Sequence, residues 1–525
     1  MKKFLMATVA AVAMVSAFPA LSAERGGTMT FARYDDSTLI DPIYADRNPD
    51  IWMVTNLYDT LLRTGEGGSI SGGLASDYSV AADGLSISLT LRDGISFSDG
   101  TAIEAKDVVF SLERAANADL GPWAGLLASI DSVSSDGNSI TITLRNADPT
   151  IVSMLATFNT AIVSADAFAA AAGDTDQEKS SALSVDGFVG SGPFTMKSHQ
   201  RGTLMQFEAN DHYWRQGEDG KALPYIDGIN FLVIPDDATR ILKLQAGEVD
   251  GAEFIPFARV AEMEADASIN MELFPSTRII YSPINTRSER ADGSANPLAD
   301  LKLRQAINYA TNKEALVQLV LHGAGKPVTS GLMASTTQLA TDNGPLYQYD
   351  LEKAKALIAE AGVPAGTEIT LTTLAGSADD GIILAALQQM WSEIGIKLKV
   401  EQVDGPTRGA KNRSGEFDIH TYGWVNDVND PAQVAGWLGY YPTRKAVGTG
   451  WNNPEFNTLF EASNTEMDPA KRADQYARMQ EIYAEAAPLL FMYETPFAVA
   501  LSQSVKGYVQ TPLGNNEFAT TWIDR

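Results

Sequence analysis

Between Asp350 and Glu401 the hydrophobic period changes, and that change most limits what this chain can fold into. Asp350-Leu-Glu-Lys-Ala-Lys-Ala-Leu-Ile-Ala-Glu-Ala-Gly362 begins at an acid that can receive the first backbone N–H groups of a helix. It stops at a glycine, which can take the left-handed conformation that ends one. A second helical stretch, Ile382 to Ile394, ends in Gly395 and passes into Ile396-Lys-Leu-Lys-Val-Glu401, which alternates as a half-buried strand does. Capped helices running into strands predict an α/β protein.

The first half of the chain reads differently. Gly27 to Arg33, Leu85 to Arg92 and Ser139 to Arg145 alternate in the strand manner, and Asp93-Gly94 and Asp99-Gly100 predict tight turns and a hairpin. Asn56 to Leu62 is read as a short helix and Ala105 to Arg114 as a longer one. Strands with Asp/Gly turns continue to about residue 280, and helical patterns dominate after 282. A chain of 525 residues exceeds one ordinary core, so two or three lobes are expected.

The N-terminus predicts export. Met1-Lys2-Lys3 is basic, Phe4 to Phe18 is apolar, and Pro19-Ala-Leu-Ser-Ala23 supplies small residues, which is the order of a secretory signal peptide spanning about residues 1–23. No cysteine occurs, which removes disulfides, thiol nucleophiles and a lipid-bearing thiol together. A freely diffusing periplasmic protein, not lipidated, is the expectation. The net charge of −27, from 66 acids against 39 bases, would repel phosphate backbones, so nucleic acid is not an expected partner.

Catalytic signatures are missing. His199, His212, His322 and His420 have no short metal-ligand spacing, and no metal or cofactor is expected. Gly323-Ala-Gly-Lys326 lacks both the first glycine and the Ser/Thr of a phosphate loop. Asp35-Asp36, Asp236-Asp237 and Asp379-Asp380 are acid pairs, but in so acidic a chain each reads first as a turn or a helix cap.

Leu91-Arg-Asp-Gly-Ile-Ser-Phe-Ser-Asp-Gly-Thr-Ala-Ile-Glu-Ala-Lys-Asp-Val-Val-Phe-Ser-Leu-Glu-Arg114 closely resembles the signature of bacterial extracellular solute-binding protein family 5. That family includes dipeptide-, oligopeptide- and nickel-binding proteins of ABC importers. Further similar blocks follow in order: Gly190 to Phe194, Asn210 to Trp214, Leu244 to Asp250, Leu303 to Ala310, Phe417-Asp418 and Asn453 to Phe456. The resemblance implies a two-lobed, type II-like periplasmic-binding-protein fold with an extra domain inserted in the first lobe. It implies a first lobe from 24–66, 189–280 and 494–525, an insert at 67–188, and a second lobe at 281–493. Crossing strands near Ile280-Tyr281 and Tyr493-Glu494 would form the hinge. The expected role is that of a monomeric, non-enzymatic component that hands a small solute to an inner-membrane ABC permease. An exported hydrolase of glycosides or peptides, and a sensor or chaperone-like protein on the same fold, are the competing readings.

The resemblance also implies a site. In peptide-binding relatives a Gly-Trp-x-x-Asp segment lies in the cleft and its Asp holds an α-ammonium; here Gly423-Trp424-Val425-Asn426-Asp427 has that spacing. Asp427 is then the cation-holding acid and Trp424 a stacking wall, with Gly423 and Asn426 beside them. His420 and Tyr422 precede Trp424 at steps of two and would share its face in an extended strand. Tyr34 and Asp35, just after the first strand, are the candidates on the other lobe. Asp430, before Pro431, is assigned to the turn.

An anion-holding arginine is harder to find. Oligopeptide binders have one two residues before the Gly-Trp pair, where this chain has Thr421, and the loop Ala375 to Gly381, where dipeptide binders would have one, contains none. Arg413 remains, with a counterpart in relatives. These departures favour an amine-bearing solute, an opine-like compound or a sugar conjugate over an ordinary short peptide.

Overall fold

The strand Thr367–Leu374 is the first difference from the sequence reading, which did not mark it. In the computed structural model, which describes residues 23–65, 69–184, 187–342, 344–375, 378–444 and 447–524, it pairs in parallel with Ile396–Val403 along its whole length. The helix Ala378–Ser392 connects them, giving the strand–helix–strand unit of an α/β lobe. The helix Leu351–Ala361 precedes it with both expected caps: the Asp350 carboxylate accepts from Lys353 N at 2.9 Å, and Gly362 takes φ 64°. The basic and apolar leader, residues 1–22, lies outside the described residues.

The short helix expected at 56–62 lies further upstream, at Asn48–Leu57. Pro49 fixes the backbone at its first turn, where no N–H is needed, and Asp50 adds favourable charge there. Tyr58 is already extended at φ −136°, so Leu62 starts a strand instead.

Seven strands form the largest sheet, in the order Ile269–Phe274, Phe497–Ser502, Gly251–Glu253, Thr28–Arg33, Gly228–Val233, Leu204–Ala209 and Phe194–Gln200. Phe31, Phe231, Tyr508 and Phe518 pack in its core with ring centroids 5.2–6.3 Å apart. A separate antiparallel sheet joins Ala75–Val80, Ser86–Leu91, Ser139–Leu144 and Ile130–Asp136. Its alternate residues Ile87, Leu89, Leu91, Ile140 and Ile142 are buried against the helix Ala105–Ala116. The Asp99-Gly100 turn closes a small hairpin in which Ser96 bridges Ala102. Elsewhere Arg304 is buried and donates to the carbonyls of Leu298, Ala299 and Ala486 rather than to an acid.

Two chain crossings join the sheets. Ile269–Phe274 pairs with Phe497–Ser502 in the large sheet, and the strands continuing from them, Ile279–Pro283 and Leu489–Glu494, pair again in a four-stranded sheet. Between them Ser276 Oγ donates to the Thr495 carbonyl and accepts from Arg278 N at 3.0 Å, while Thr495 N donates to the Arg278 carbonyl at 3.2 Å. Two short connections lying side by side are the geometry about which lobes rotate. A second contact lies away from the crossing: Val428 is fully buried in the apolar cluster around the separate antiparallel sheet and the helix Ala105–Ala116.

Candidate functional site

The segment from Ile419 to Asp430 fastens two sheets together. Ile419–His420 pairs in parallel with Leu371 and Thr372, and after one intervening residue Tyr422–Trp424 pairs antiparallel with Ile279–Pro283, Trp424 opposite Ile279 and Gly423 opposite Ile280. Gly423 is exposed, and a Cβ there would lie 3.0 Å from Ile280 Cδ1. A side chain at this position would crowd the strand that carries the crossing.

Beyond the strand, buried Asn426 acts as a splint. Its backbone N donates to Thr277 Oγ1 at 2.9 Å, its Nδ2 to Thr337 Oγ1 at 3.3 Å, and its Oδ1 accepts from Trp424 Nε1 at 2.6 Å. Trp424 also stacks on Trp437, centroids 5.3 Å apart and planes 29° apart. The indole is therefore held from its edge and from one face while remaining partly exposed. Asn426 serves this placement rather than reaching outward.

Asp427 is held by an amide. Gln433, on the helix Pro431–Leu438, donates from Nε2 to Asp427 Oδ2 at 2.8 Å, and its Oε1 accepts from Asp427 N at 2.9 Å and Val428 N at 3.2 Å. No basic side chain among the described residues pairs with this carboxylate. Burial pushes its carboxyl up to about 6, against the lowering effect of Gln433. An ammonium placed here would restore the charged form.

The other candidates are less uniform. His420 does not share an open face with Trp424: the extended run is broken at Thr421, and His420 is 2% exposed, edge-on to Phe417 at 4.6 Å and Tyr422 at 5.6 Å. Burial lowers its pKa to about 4, so the ring is neutral. Tyr422 is partly exposed, with the guanidinium of Arg408 5.6 Å from its ring centroid. Arg408 also donates to the Thr421 carbonyl at 3.2 Å. The structure does not bring Arg413 to this group: it is exposed on the helix Gly405–Ser414, and five residues of helix turn it about 140° from Arg408. Asp35 is ion-paired with Arg47. Tyr34 lies edge-on to Phe254 at 4.6 Å, and burial raises its hydroxyl to about 12.

Sequence reasoning missed Gln433, Trp437 and Arg408. Helical spacing could have separated Arg408 from Arg413; nothing in the sequence marks the other two. It also missed Arg278 at the crossing, whose guanidinium has no hydrogen bond or ion pair among the described residues and lies near Tyr34, Tyr493 and Asp379. Asp236, from one of the acid pairs, is a helix cap, accepting from Thr239 N at 2.8 Å. Hollows of about 560 Å³ beside Arg92 and Trp214, and about 280 Å³ behind the crossing at Lys326 and Glu494, include neither Trp424 nor Asp427.

Known proteins place this geometry. The model of "Bacterial extracellular solute-binding proteins, family 5 Middle" matches residues 69–444. The chain is 29% identical over 496 residues to heme-binding protein A of Haemophilus influenzae, covering 89% of this chain and 87% of that one. It is 28% identical over 479 residues to the dipeptide-binding protein of Escherichia coli, covering 86% of each. The periplasmic binding protein DppA of Helicobacter pylori, solved with the peptide STSA, superposes with TM-score 0.78 at 25% identity, covering 96% of this chain and 99% of that one. All are binding proteins, and the hydrolase reading finds no support among them. With the α/β two-lobed fold and the family match over most of its length, the chain belongs to the bacterial extracellular solute-binding proteins of family 5, the non-catalytic components that capture solutes for ABC importers.

Proposed function

We propose that this protein captures an amine-bearing polar solute, seating its ammonium on Asp427 and its body against Trp424, and delivers it to an ABC permease. The observation that carries this reading is the half-buried Asp427 carboxylate, which has an amide but no cation against it. A buried acid without a counter-charge is unfavourable by itself and becomes favourable when a ligand brings one. Trp424, fixed by Asn426 and Trp437, offers a flat apolar surface beside it. Tyr422 and Gly423 lie on the same edge strand, and Tyr34 comes from the other lobe. Asp35, Asn426 and His420 act behind these groups, since each is already paired or buried.

In this reading residues 24–66, 189–280 and 494–525 form one lobe with 67–188 inserted in it, and 281–493 form the other. Closure about the paired crossings traps the solute. The protein acts as a monomer in the periplasm, reached through removal of the leader, and needs no lipid anchor. Two of its similar proteins are named for ligands, heme and dipeptide, that differ widely in size. Ligand identity therefore has to come from this chain's own cleft.

A thermal-shift screen of peptides, amines, opines and sugars tests the reading, because a ligand that binds only the folded state raises its melting temperature. Amine-bearing compounds are expected to stabilise the wild type and to lose that effect in Asp427→Asn. Stabilisation by sugars alone, or equal binding by the variant, would overturn it.

A further inference from the structure

We propose that Arg278 is the anion-holding residue of the cleft, so that the captured solute carries a carboxylate as well as the ammonium received by Asp427. The inference rests on the amine reading above and narrows it to a zwitterion.

Position is the first argument. Arg278 lies between Thr277, whose hydroxyl holds the backbone of Asn426, and Ile279, which pairs with Trp424. Its own backbone is tied on both sides, to Ser276 Oγ at 3.0 Å and to Thr495 N at 3.2 Å. The arginine is thus fixed at the crossing, within a few residues of pairing from Asp427, on the part of the molecule that lobe rotation displaces least.

Freedom is the second. Nearby arginines already have partners: Arg33 bonds Glu253 and the Pro49 carbonyl, Arg240 the carbonyls of Ile234 and Pro235, Arg408 the Thr421 carbonyl, and Arg472 both oxygens of Asp430. Arg278 is partly buried, yet none of its five guanidinium N–H donors is used among the described residues. Burial accordingly pulls its pKa below the ordinary arginine value, as expected of a cation without a bonded partner.

Convergence is the third. The Tyr34 ring, from the same lobe as Arg278, and Asp379, at the start of the helix Ala378–Ser392 in the facing lobe, lie close enough to influence Arg278, but Asp379 stands beyond ion-pair distance. The Tyr34 hydroxyl is held protonated by burial and makes no hydrogen bond among the described residues. A guanidinium fork and a phenolic O–H close together on one lobe suit the two oxygens of a carboxylate. Among the described residues no acid fills that position.

Matched pairs that differ only in the acid test this: ornithine against putrescine, arginine against agmatine, and Ala-Phe against its C-terminal amide. The acid member of a binding pair should bind at least about tenfold more tightly, and Arg278→Gln should bring the ratio close to one. Arg278→Lys, which keeps a charge but not the fork, should leave an intermediate ratio and serves if the glutamine variant does not fold. Amine binding that depends on Asp427 but ignores the carboxylate would overturn this inference alone, as would a ratio unmoved in both variants. A panel in which no amine binds would overturn it together with the amine reading.

Discussion

Asp427 and Asp430 lie three residues apart in one acidic stretch, and their surroundings give them opposite roles. Asp430 is 2% exposed, yet Arg472 meets both its oxygens at 2.7 and 2.8 Å and it caps the helix Pro431–Leu438 through Ala432 N. Asp427 is less deeply buried, and among the described residues its carboxylate meets the Gln433 amide and no basic side chain. Depth of burial alone therefore does not identify a functional acid. In the proposed function, what separates the two is whether the protein supplies the counter-charge or leaves it to the ligand.

The largest effect should come from breaking the satisfied acid. Arg472→Ala leaves Asp430 buried and unpaired, and a loss of about 3–5 kcal/mol is expected in denaturant unfolding. A loss below about 1 kcal/mol would mean that the two acids do not differ as described.

Asp427→Asn should do the reverse. Affinity for an amine ligand should fall by about 1–3 kcal/mol, about 5- to 150-fold, while the melting temperature of the free protein stays level or rises. If the free protein is destabilised as much as by Arg472→Ala, Asp427 is a structural acid like its neighbour.

The smallest effect is the pH dependence. Asp427 has its carboxyl raised to about 6 in the folded state, so its contribution to stability is fully present below the ordinary carboxylate range and is lost as pH rises through about 6. Binding runs the other way, because an ammonium needs the charged form. Affinity should therefore drop roughly tenfold per unit as pH falls below that value, and calorimetry should find this slope in the wild type and not in Asp427→Asn.

Much of the fold was legible because its signals are local. The caps at Asp350 and Gly362, the alternation at 86–91 and the turn at Asp99-Gly100 each involve a few adjacent residues. Thr367–Leu374 escaped because its threonines blur the apolar alternation that marks a strand, although three consecutive residues, Leu371 to Thr373, are buried by neighbours on both faces. In the proposed site, the spacing from Gly423 to Asp427 singled out one segment. It could not show that His420 turns into the core, that Gln433 folds back six residues to hold Asp427, or that the Arg278 guanidinium has no hydrogen bond among the described residues, because each depends on contacts set by tertiary packing.

Val428, next to Asp427, carries a mechanical consequence. It belongs to the stretch proposed to line the cleft, yet its side chain is fully buried in the apolar cluster around the four-stranded antiparallel sheet and the helix Ala105–Ala116. Drawing the lobes apart would expose this side chain and the pocket around it to water, at a cost of about 1.5–3 kcal/mol for a valine. In the two-lobe reading proposed above, that contact favours the shut form, and the solute has that much less work to do in tipping the balance. Such a bias tightens capture, and it also leaves a fraction of shut but empty molecules to compete for the permease.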